Sequence, residues 1–427
     1  MGLFDRLRGN DGPRVAFLGI DGVPWYLVED EPETFPNLTA IAEAGAGGPI
    51  DSIVPPESSA CWPSLTTGVN PGQTGVYGFQ DREVGSYDTY VPMGRDVQAT
   101  RLWDRVEAEG RDATVMNVPV TFPPSRDVQR MISGFLSPGV AKAAHPPDLA
   151  TYLESIDYRI DVQARLGHEE DKTDFVQDAN ETLAARFEAF DHYVRADDWD
   201  LFFGVFMTTD RVNHFLFEDY ERDGEYREDF LAFYRRVDDY IGRLHEALPD
   251  DVTLVVASDH GFTTLDYEVH FNTWLEENGW LSFEDDDHED LADIATKSRA
   301  YSFIPGRFYV NLEGREPRGS VPESEYEAVR DELKAALLDL EGPDGRPVLD
   351  RVVVKEDAFE GDHDDIAPDL VAIPNDGFDL KSGFKGHDAV FDVGPRNGMH
   401  TFANATLIVD DPDVAIPSET KDRKSVV

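Results

Sequence analysis

Short apolar runs that stop abruptly at a carboxylate or an imidazole are the feature that most constrains how this chain can fold. One such run, 252–257, is rich in β-branched residues and predicts a buried strand. Asp259, His260 and Gly261 follow it almost at once. Polar groups at the carboxyl end of a buried strand lie where open α/β sheets bind ligands, and Asp with His suits a Zn-class cation. Taken alone, these residues are equally consistent with an ordinary turn.

Two further predicted strands end in the same way. The run 14–20 stops at Asp21, and the run 200–206 is followed by a predicted helix that carries Asp210 and His214. A spacing of four residues places these two side chains on one helix face, where they can bind one ion together. A turn aspartate with an unrelated histidine remains the alternative for each case taken singly, but the repetition favours a metal site.

A segment rich in hydroxyl groups follows another predicted strand, 49–54. Pro55 and Pro56 fix its entry, Ser58 is placed at the start of a short helix, and Gly68 ends that helix. The positive end of a helix dipole attracts phosphate, so a reacting phosphate would lie beside the Ser58 hydroxyl. The alternative is that this serine and the next only cap the helix.

Strands alternate with helices along the chain, without an internal repeat. This order predicts an α/β fold, in which helices cover both faces of a mostly parallel central sheet. After Gly261 the pattern changes. A strand predicted at 308–312, a helix at 323–340 and a strand at 351–355 suggest a small inserted α+β lobe. A further strand, 369–373, is assigned to the core or its edge. The predicted limits are 1–270 for the first part of the core, 271–365 for the lobe, and 366–427 for the final part of the core with a tail.

The charge balance excludes one class of partner. The 427 residues include 86 acidic and 38 basic side chains, for a formal net charge of −48. Such a surface repels nucleic acid as a polymer and anionic membranes. The acids are dispersed along the chain and only nine basic residues are lysines, a composition that resembles the proteins of salt-loving organisms. We therefore expect a halophilic protein.

Cysteine usage and hydropathy indicate the compartment. The single cysteine, Cys61, excludes an internal disulfide framework and fits a reducing environment. The first residues lack the apolar core of a signal peptide, and no run reaches the length of a membrane span. We expect a soluble, cytoplasmic protein without a membrane partner, and the oligomeric state stays open.

The predicted strand ends and one later histidine together supply three carboxylates, three imidazoles and a hydroxyl. The seven residues are Asp21, Ser58, Asp210, His214, Asp259, His260 and His400. Such a set can hold two divalent ions, which stabilise both the attacking and the leaving oxygen of a phosphoryl displacement. A serine bound to a metal is deprotonated near neutral pH and becomes a nucleophile without a catalytic triad.

Five motifs occur in the order found in the alkaline phosphatase superfamily. They lie at 55–72, 117–124, 209–214, 258–262 and 310–317. Over nearly its whole length the chain resembles the type I phosphodiesterase/nucleotide pyrophosphatase branch of that superfamily.

This resemblance implies a two-metal phosphoester hydrolase with a small-molecule substrate and a covalent phosphoseryl intermediate on Ser58. It implies two divalent ions, with zinc expected and manganese or magnesium as alternatives. One ion would be held by Asp21, Asp259, His260 and the Ser58 oxygen, and the other by Asp210, His214 and His400. His387 is a rival for the last of these positions.

Substrate contacts are predicted from departures from the family pattern. Where nucleotide pyrophosphatases place an Asn that holds a phosphate oxygen, this chain has Phe79 with Gln80 beside it. No Arg or Lys occurs between Ser58 and Gln80, and Trp62 adds another aromatic group. A monoester dianion needs an additional cation, so we expect diesters to be favoured over monoesters.

The sequence is also consistent with other functions. Arg211, beside a metal ligand, or Arg315, from the lobe, is placed to supply the cation that a monoester requires. A phosphomonoesterase or a phosphotransferase of the same superfamily is therefore an alternative. A non-catalytic phospholigand-binding protein is the alternative from another class, although such a protein would be expected to have lost a ligand, and none is missing.

Overall fold

The computed structural model describes residues 12–284, 290–383 and 389–416. The strands are β1 Arg14–Ile20, β2 Ala46–Ile50, β3 Asp81–Arg82, β4 Thr89–Tyr90, β5 Ala113–Val118, β6 Arg130–Ser133, β7 Ala144–His145, β8 Leu201–Phe206, β9 Val252–Ala257, β10 Gly261–Thr264, β11 Tyr267–His270, β12 Ala300–Phe303, β13 Arg307–Val310, β14 Leu349–Val354, β15 Leu370–Pro374, β16 Phe378–Lys381, β17 Phe391–Asp392, β18 Gly398–Thr401 and β19 Ala405–Val409. The helices are α1 Trp25–Asp30, α2 Pro36–Ala44, α3 Ser58–Thr67, α4 Pro71–Thr74, α5 Leu102–Ala108, α6 Val140–Ala143, α7 Pro147–Ser155, α8 Ala164–Gly167, α9 Thr173–Ala196, α10 Thr208–Glu221, α11 Arg227–Ala247, α12 Phe271–Glu277, α13 Tyr326–Leu338 and α14 Lys355–Ala358.

The core is built on an eight-stranded sheet in the order β2-β19-β9-β1-β8-β5-β6-β7. The five neighbouring strands from β9 to β6 are parallel, whereas β19 runs antiparallel to both of its neighbours and β7 is antiparallel to β6. Parallel strands buried on both faces read as continuous apolar runs, as these do. The prediction of a mostly parallel central sheet is confirmed.

Alternate residues of β8 show how the two faces are covered. Phe202 and Phe206 belong to the large apolar cluster that includes side chains of α9, α10 and α11. Phe203 points to the other face, where it meets Trp62 of α3 and Trp103 of α5 at ring-centroid distances of 6.3 and 5.7 Å. Because successive side chains of a strand alternate in direction, one strand serves both layers. Helices on both faces are thereby confirmed.

A second apolar cluster fills an inserted α+β lobe. Its four-stranded antiparallel sheet has the order β12-β13-β15-β14, and α13 packs against it. Sequence analysis assigned the strand after Asp369 to the core or its edge, and that assignment is wrong. β15 lies between β13 and β14, with Leu370 and Val371 paired to both strands. The physical reason is that a short apolar run buries equally well in either sheet. The limits of the lobe stay a prediction.

Two small sheets connect the lobe to the end of β9. β10 pairs antiparallel with β18, and β11 lies between β16 and β17. They carry the chain from the carboxyl edge of the central sheet into the lobe and back. Within the described ranges, none of the helices combines the length and apolar character that a membrane crossing requires.

Candidate active site

Adjacent strands bring the first carboxylates together. β1 and β9 are parallel neighbours, so Asp21 and Asp259, which follow them, emerge at the same edge of the sheet. The backbone amide of Gly22 donates to Asp259 Oδ1 at 3.2 Å, which fixes that carboxylate. His260 is fully buried beside both acids, with Nε2 3.7 Å from Asp21 Oδ1 and 3.5 Å from Asp259 Oδ2.

Ser58 is the first residue of α3 and lies in this group. Its hydroxyl donates to Asp21 Oδ1 at 3.3 Å and lies 3.1 Å from His260 Nε2. Glu57 precedes it in extended conformation, so the helix begins with the hydroxyl directed at the carboxyl edge of the sheet. The structure thus brings Ser58 to the predicted ligands.

Asp210 and His214 occupy the first two turns of α10, directly after β8, and their contact atoms are 3.4 Å apart. His400 reaches them from β18, where it lies opposite Phe262 of β10. Its Nε2 is 3.2 Å from Asp210 Oδ1 and 3.1 Å from His214 Nε2. The rival ligand His387 lies outside the described residues.

Main-chain carbonyls orient all three imidazoles. The Nδ1 atoms of His214, His260 and His400 lie 3.1, 3.0 and 3.2 Å from the carbonyl oxygens of Gly398, Gly261 and Pro56, in that order. A carbonyl can only accept, so each Nδ1 carries the hydrogen, and each ring in its neutral form directs an Nε2 lone pair into the site. Two such lone pairs 3.1 Å apart, on His214 and His400, repel each other unless a proton or a metal ion lies between them. The donor set therefore fits divalent metal ions.

Distance alone divides the ligands into two overlapping groups. One consists of Asp210, His260 and His400, and the other of Asp21, Asp259 and His260. His260 belongs to both because its ring stacks on that of His400 with centroids 3.8 Å apart. Two adjacent cation sites are consistent with this arrangement, as are the carboxylate and imidazole ligands that zinc prefers.

The electrostatics of the site also favour bound cations. Burial raises the pKa of Asp21 well above its usual range, and the charges of Asp259 and Asp210 raise it further. Burial likewise raises the pKa of Asp259 to about 7, while it lowers the pKa of His260 to about 3. Oδ2 of Asp259 has no hydrogen-bond partner among the described residues. A divalent cation would supply the missing opposite charge.

Trp62 and Gln80 do not occupy the positions expected of substrate contacts. Trp62 is fully buried, and its indole Nε1 donates to Asp21 Oδ2 at 2.6 Å. Gln80 is exposed, and its backbone carbonyl accepts a hydrogen bond from Arg307. Neither lines the pocket beside Ser58, because the helix turns the indole toward the sheet. Phe79 does line that pocket.

The pocket lies between the core and the lobe and has a volume of about 620 Å³. Its lining includes Glu57, Ser58, Phe79, Phe135, Asp210, Arg211 and His214 from the core, Glu268, Ile304, Pro305, Asp379 and Lys381 from the lobe side, and Arg396 and His400. The residues that line the pocket from the lobe side were not predicted from the sequence. Asp379 and Lys381 are two apart in β16 and so share a face, but no pattern in the sequence indicates that this face meets the pocket.

The two arginines suggested for a monoester differ in position. Arg315 is engaged within the lobe, where it contacts Asp369 Oδ2 at 2.6 Å, and it does not line the pocket. Arg211 does line it, but its guanidinium is paired with Asp161 at 3.0 Å and Asp210 at 3.3 Å. Its guanidinium also lies over the ring of Phe135, 4.5 Å from the centroid. The structure therefore excludes Arg315 from the site.

The fold is shared with solved structures of low sequence identity. Phosphonoacetate hydrolase from Sinorhizobium meliloti 1021, in complex with phosphonoformate, superposes with a TM-score of 0.63 at 16% identity, covering 96% of this chain and 93% of that one. An inactive variant of murine ectonucleotide pyrophosphatase/phosphodiesterase 5 in complex with AMP gives a TM-score of 0.54 at 15% identity, covering 94% and 88%. The human counterpart of the latter gives 0.52 at 14% identity, covering 94% and 91%.

Sequence comparison agrees with the fold. No match to this chain was found among curated protein sequences. The family model described as type I phosphodiesterase/nucleotide pyrophosphatase matches residues 15–402, almost the whole chain. The prediction that the protein is an enzyme of the alkaline phosphatase superfamily is confirmed. The branch predicted from the order of the motifs is confirmed as well. The chain belongs to the type I phosphodiesterase/nucleotide pyrophosphatase family, a family of phosphoester hydrolases within the alkaline phosphatase superfamily.

Proposed function

We propose that this protein hydrolyses small phosphodiesters with two divalent metal ions and a phosphoseryl intermediate on Ser58. The observation that carries the proposal is the position of the Ser58 hydroxyl. It lies 3.3 Å from Asp21 and 3.1 Å from His260, and it lines the same pocket as Asp210, His214 and His400. A phosphate bound in this pocket can therefore contact the serine and these three ligands.

The protein's own residues would act in two steps. Ser58 Oγ bonds to phosphorus while the bond from phosphorus to the departing oxygen breaks, and water then cleaves the phosphoseryl bond. Trp62 holds Asp21 in place through its indole hydrogen bond of 2.6 Å. Bound divalent ions would lower the pKa of the serine hydroxyl and neutralise charge on the transferred group.

The ligands divide between the ions as the family resemblance implies. Asp21, Asp259, His260 and the Ser58 oxygen would hold one ion, and Asp210, His214 and His400 the other. Zinc is the ion that this mixture of carboxylate oxygens and imidazole nitrogens suits best.

The charges around the pocket support a diester. Arg211 is neutralised by Asp161 and Asp210, and Lys381 is held by Asp379. Neither of these two cations is therefore free for the second charge of a monoester dianion, and we assign the third cation of the pocket, Arg396, to the departing group. Phe79 lies 5.9 Å from Phe135, centroid to centroid, and offers an apolar wall to a second ester group.

A serine exchange tests the nucleophile. Ser58→Ala should reduce turnover of a nitrophenyl diester to background, abolish the phosphopeptide found by mass spectrometry after acid quenching, and leave most metal bound. Ser64→Ala is the matched control, because Ser64 is a buried serine of the same helix that does not line the pocket. Full activity in Ser58→Ala would contradict the covalent mechanism.

Matched substrates test the diester preference. The wild-type enzyme should show a higher kcat/KM for methyl 4-nitrophenyl phosphate than for 4-nitrophenyl phosphate, at equal metal and salt. A preference of about tenfold for the monoester, which corresponds to about 1.4 kcal/mol in transition-state binding, would refute the assignment.

A further inference from the structure

Arg396 occupies an unusual place on the pocket wall. It lies in the segment before β18, and its side chain lines both the 620 Å³ pocket and a neighbouring pocket of about 460 Å³. It is half-buried, and it forms no hydrogen bond or ion pair with any other residue in the described ranges. A guanidinium presents up to five N–H donors, so an unengaged one at a pocket wall can bind a ligand.

The other cations of the pocket are already engaged. Arg211 is paired with Asp161 and Asp210, and Lys381 contacts both Asp379 and, at 3.8 Å, Glu268. Among the described residues that line this pocket, Arg396 is thus the arginine or lysine without an acidic hydrogen-bond or ion-pair partner, although its charge adds to that of Lys381 in lowering the pKa of Asp379. In a chain with a formal net charge of −48, acidic partners are abundant, so an arginine without one is notable.

The position of Arg396 relative to Ser58 determines what it can contact. Contacts run from Ser58 to His260, from His260 to His400, and from His400 to His214. The residue after Arg396 is bound to the last residue in this series of contacts, because the Asn397 amide donates to the backbone carbonyl of His214 at 2.9 Å.

The pocket lining agrees with that location. Arg396 and His214 line the same pocket, and the backbone hydrogen bond from Asn397 fixes the arginine's place in the chain one residue away.

The geometry of an in-line displacement indicates which part of the substrate lies beside His214 and Arg396. The attacking and departing oxygens are on opposite sides of phosphorus. With Ser58 as nucleophile, as the proposed function requires, we place the departing group on the side of the pocket lined by His214 and Arg396, which Ser58 contacts only through His260 and His400. The neighbouring pocket beyond Arg396 gives that group further space.

We propose that Arg396 is a specificity-determining residue that binds an anionic oxygen group, a carboxylate or a phosphate, on the departing alcohol of the substrate. A guanidinium matches either group with two parallel hydrogen bonds. The enzyme would then favour phosphodiesters whose leaving group carries its own negative charge over otherwise identical neutral ones.

Three diesters test this proposal. Each is a methyl phosphodiester of 4-nitrophenol with one ring substituent, which is carboxymethyl, phosphonomethyl or the neutral carboxamidomethyl. At fixed salt, the wild-type kcat/KM should be at least about tenfold higher for one of the charged substrates than for the neutral one, and the better charged substituent identifies the anion. In Arg396→Gln this ratio should fall to about one, and in Arg396→Lys to an intermediate value.

A control variant removes an equal charge elsewhere. Arg243 is a surface residue of α11 with 49% side-chain exposure and a weak contact of 3.7 Å to Asp239. Arg243→Gln should keep the wild-type ratio. The charged nitrophenol product should also inhibit the wild type competitively, with its inhibition constant rising about tenfold in Arg396→Gln and unchanged in Arg243→Gln.

The outcomes separate this proposal from the proposed function. A wild-type ratio near one, with all diesters hydrolysed, overturns the role of Arg396 and leaves the hydrolase intact. An equal loss on charged and neutral diesters in Arg396→Gln would show that the arginine acts through His214, and also overturns it. A loss confined to 4-nitrophenyl phosphate would assign Arg396 to the transferred phosphoryl group. Failure to hydrolyse any of the esters would contradict the proposed function, and this inference with it.

Discussion

The indole of Trp62 shows what a single buried donor contributes at the residue scale. Its Nε1 is the neutral donor to Asp21 Oδ2, at 2.6 Å, in a site where burial and neighbouring acids already raise the pKa of that carboxyl. Partners of this kind fix the orientation of a metal-ligating carboxylate. The tryptophan is therefore a positioning residue, and we expect its loss to affect metal affinity before substrate binding.

Trp62→Phe tests this role. The ring is kept and the donor is lost, so Asp21 Oδ2 is left buried without that partner. Metal affinity, measured by competition with a chromogenic chelator, should fall about 10- to 100-fold, while KM at saturating metal changes little. Trp103→Phe is the control, because Trp103 packs in the same apolar cluster and does not line the pocket. A changed KM with unchanged metal affinity would instead indicate a substrate contact.

His400 gives a second prediction at this scale. Its Nε2 faces Asp210 and His214 at 3.2 and 3.1 Å, whereas His387 lies outside the described residues. His400→Ala should lower the bound metal from about two ions per chain to about one, measured by elemental analysis after dialysis, because the second ion loses a ligand. His387→Ala should retain both ions. The reverse pattern would assign the ligand to His387.

Residue-level patterns predicted this set of polar groups but not their orientations. Asp21, Asp259 and His260 were identifiable because parallel strands deliver their carboxyl ends to one edge. The direction of Trp62 was not, because a side chain on the first turns of a helix can face either the sheet or the pocket, and packing decides between them. No sequence pattern indicated Arg396, because its importance rests on the absence of a hydrogen bond or ion pair to other described residues, and a sequence does not show such an absence.

At the scale of elements, a buried ion pair holds the lobe to the segment that follows the nucleophile helix. Arg307 of β13 contacts Asp81 of β3 at 2.6 Å and donates to the carbonyls of Gln80 and Ile304. Arg307 is fully buried and Asp81 nearly so. Burial raises the pKa of Asp81 even with this arginine beside it, so desolvation offsets much of the attraction between the two charges.

Breaking the pair should nevertheless be costly. Arg307→Met leaves the Asp81 carboxyl buried without its partner and should lower the free energy of unfolding by about 3–5 kcal/mol, measured by urea denaturation at constant salt. Asp81→Asn combined with Arg307→Met should recover a large part of that loss. A double variant as unstable as the sum of the single ones would show that the two side chains do not interact.

The same lobe marks the limit of element-level prediction. β13, α13 and β14 were each predicted within a few residues of their observed bounds, because their apolar periodicity is local. β15 was also predicted as a strand, but its partners were not. A short apolar strand joins one sheet or another through contacts with residues far away in the sequence. The residues of the strand alone do not indicate which strands those partners are.

At the scale of the whole molecule, the alternation of predicted strands and helices was enough to predict the α/β architecture. The surface charge does not determine the fold, but it affects the solvent conditions in which the fold is stable. The 38 basic residues cannot pair with 86 acids, and exposed ion pairs each contribute only about 0–1 kcal/mol. Pairs such as Arg299 with Glu332 therefore offset only a small part of the mutual repulsion of the remaining acids. Repulsion of this kind is reduced mainly by dissolved ions.

The thermal stability should therefore rise with salt. Between 0.01 and 1 M salt the Debye length shrinks from about 30 to about 3 Å, so acids that repel one another across the surface at low salt become screened. The Tm should increase steadily over a KCl series, measured by calorimetry with the metal concentration held fixed. A sucrose series is the control, because sucrose favours the compact state by exclusion from the surface but screens no charge. A Tm that stays flat in KCl, or that rises equally in sucrose, would contradict the halophilic interpretation of this surface.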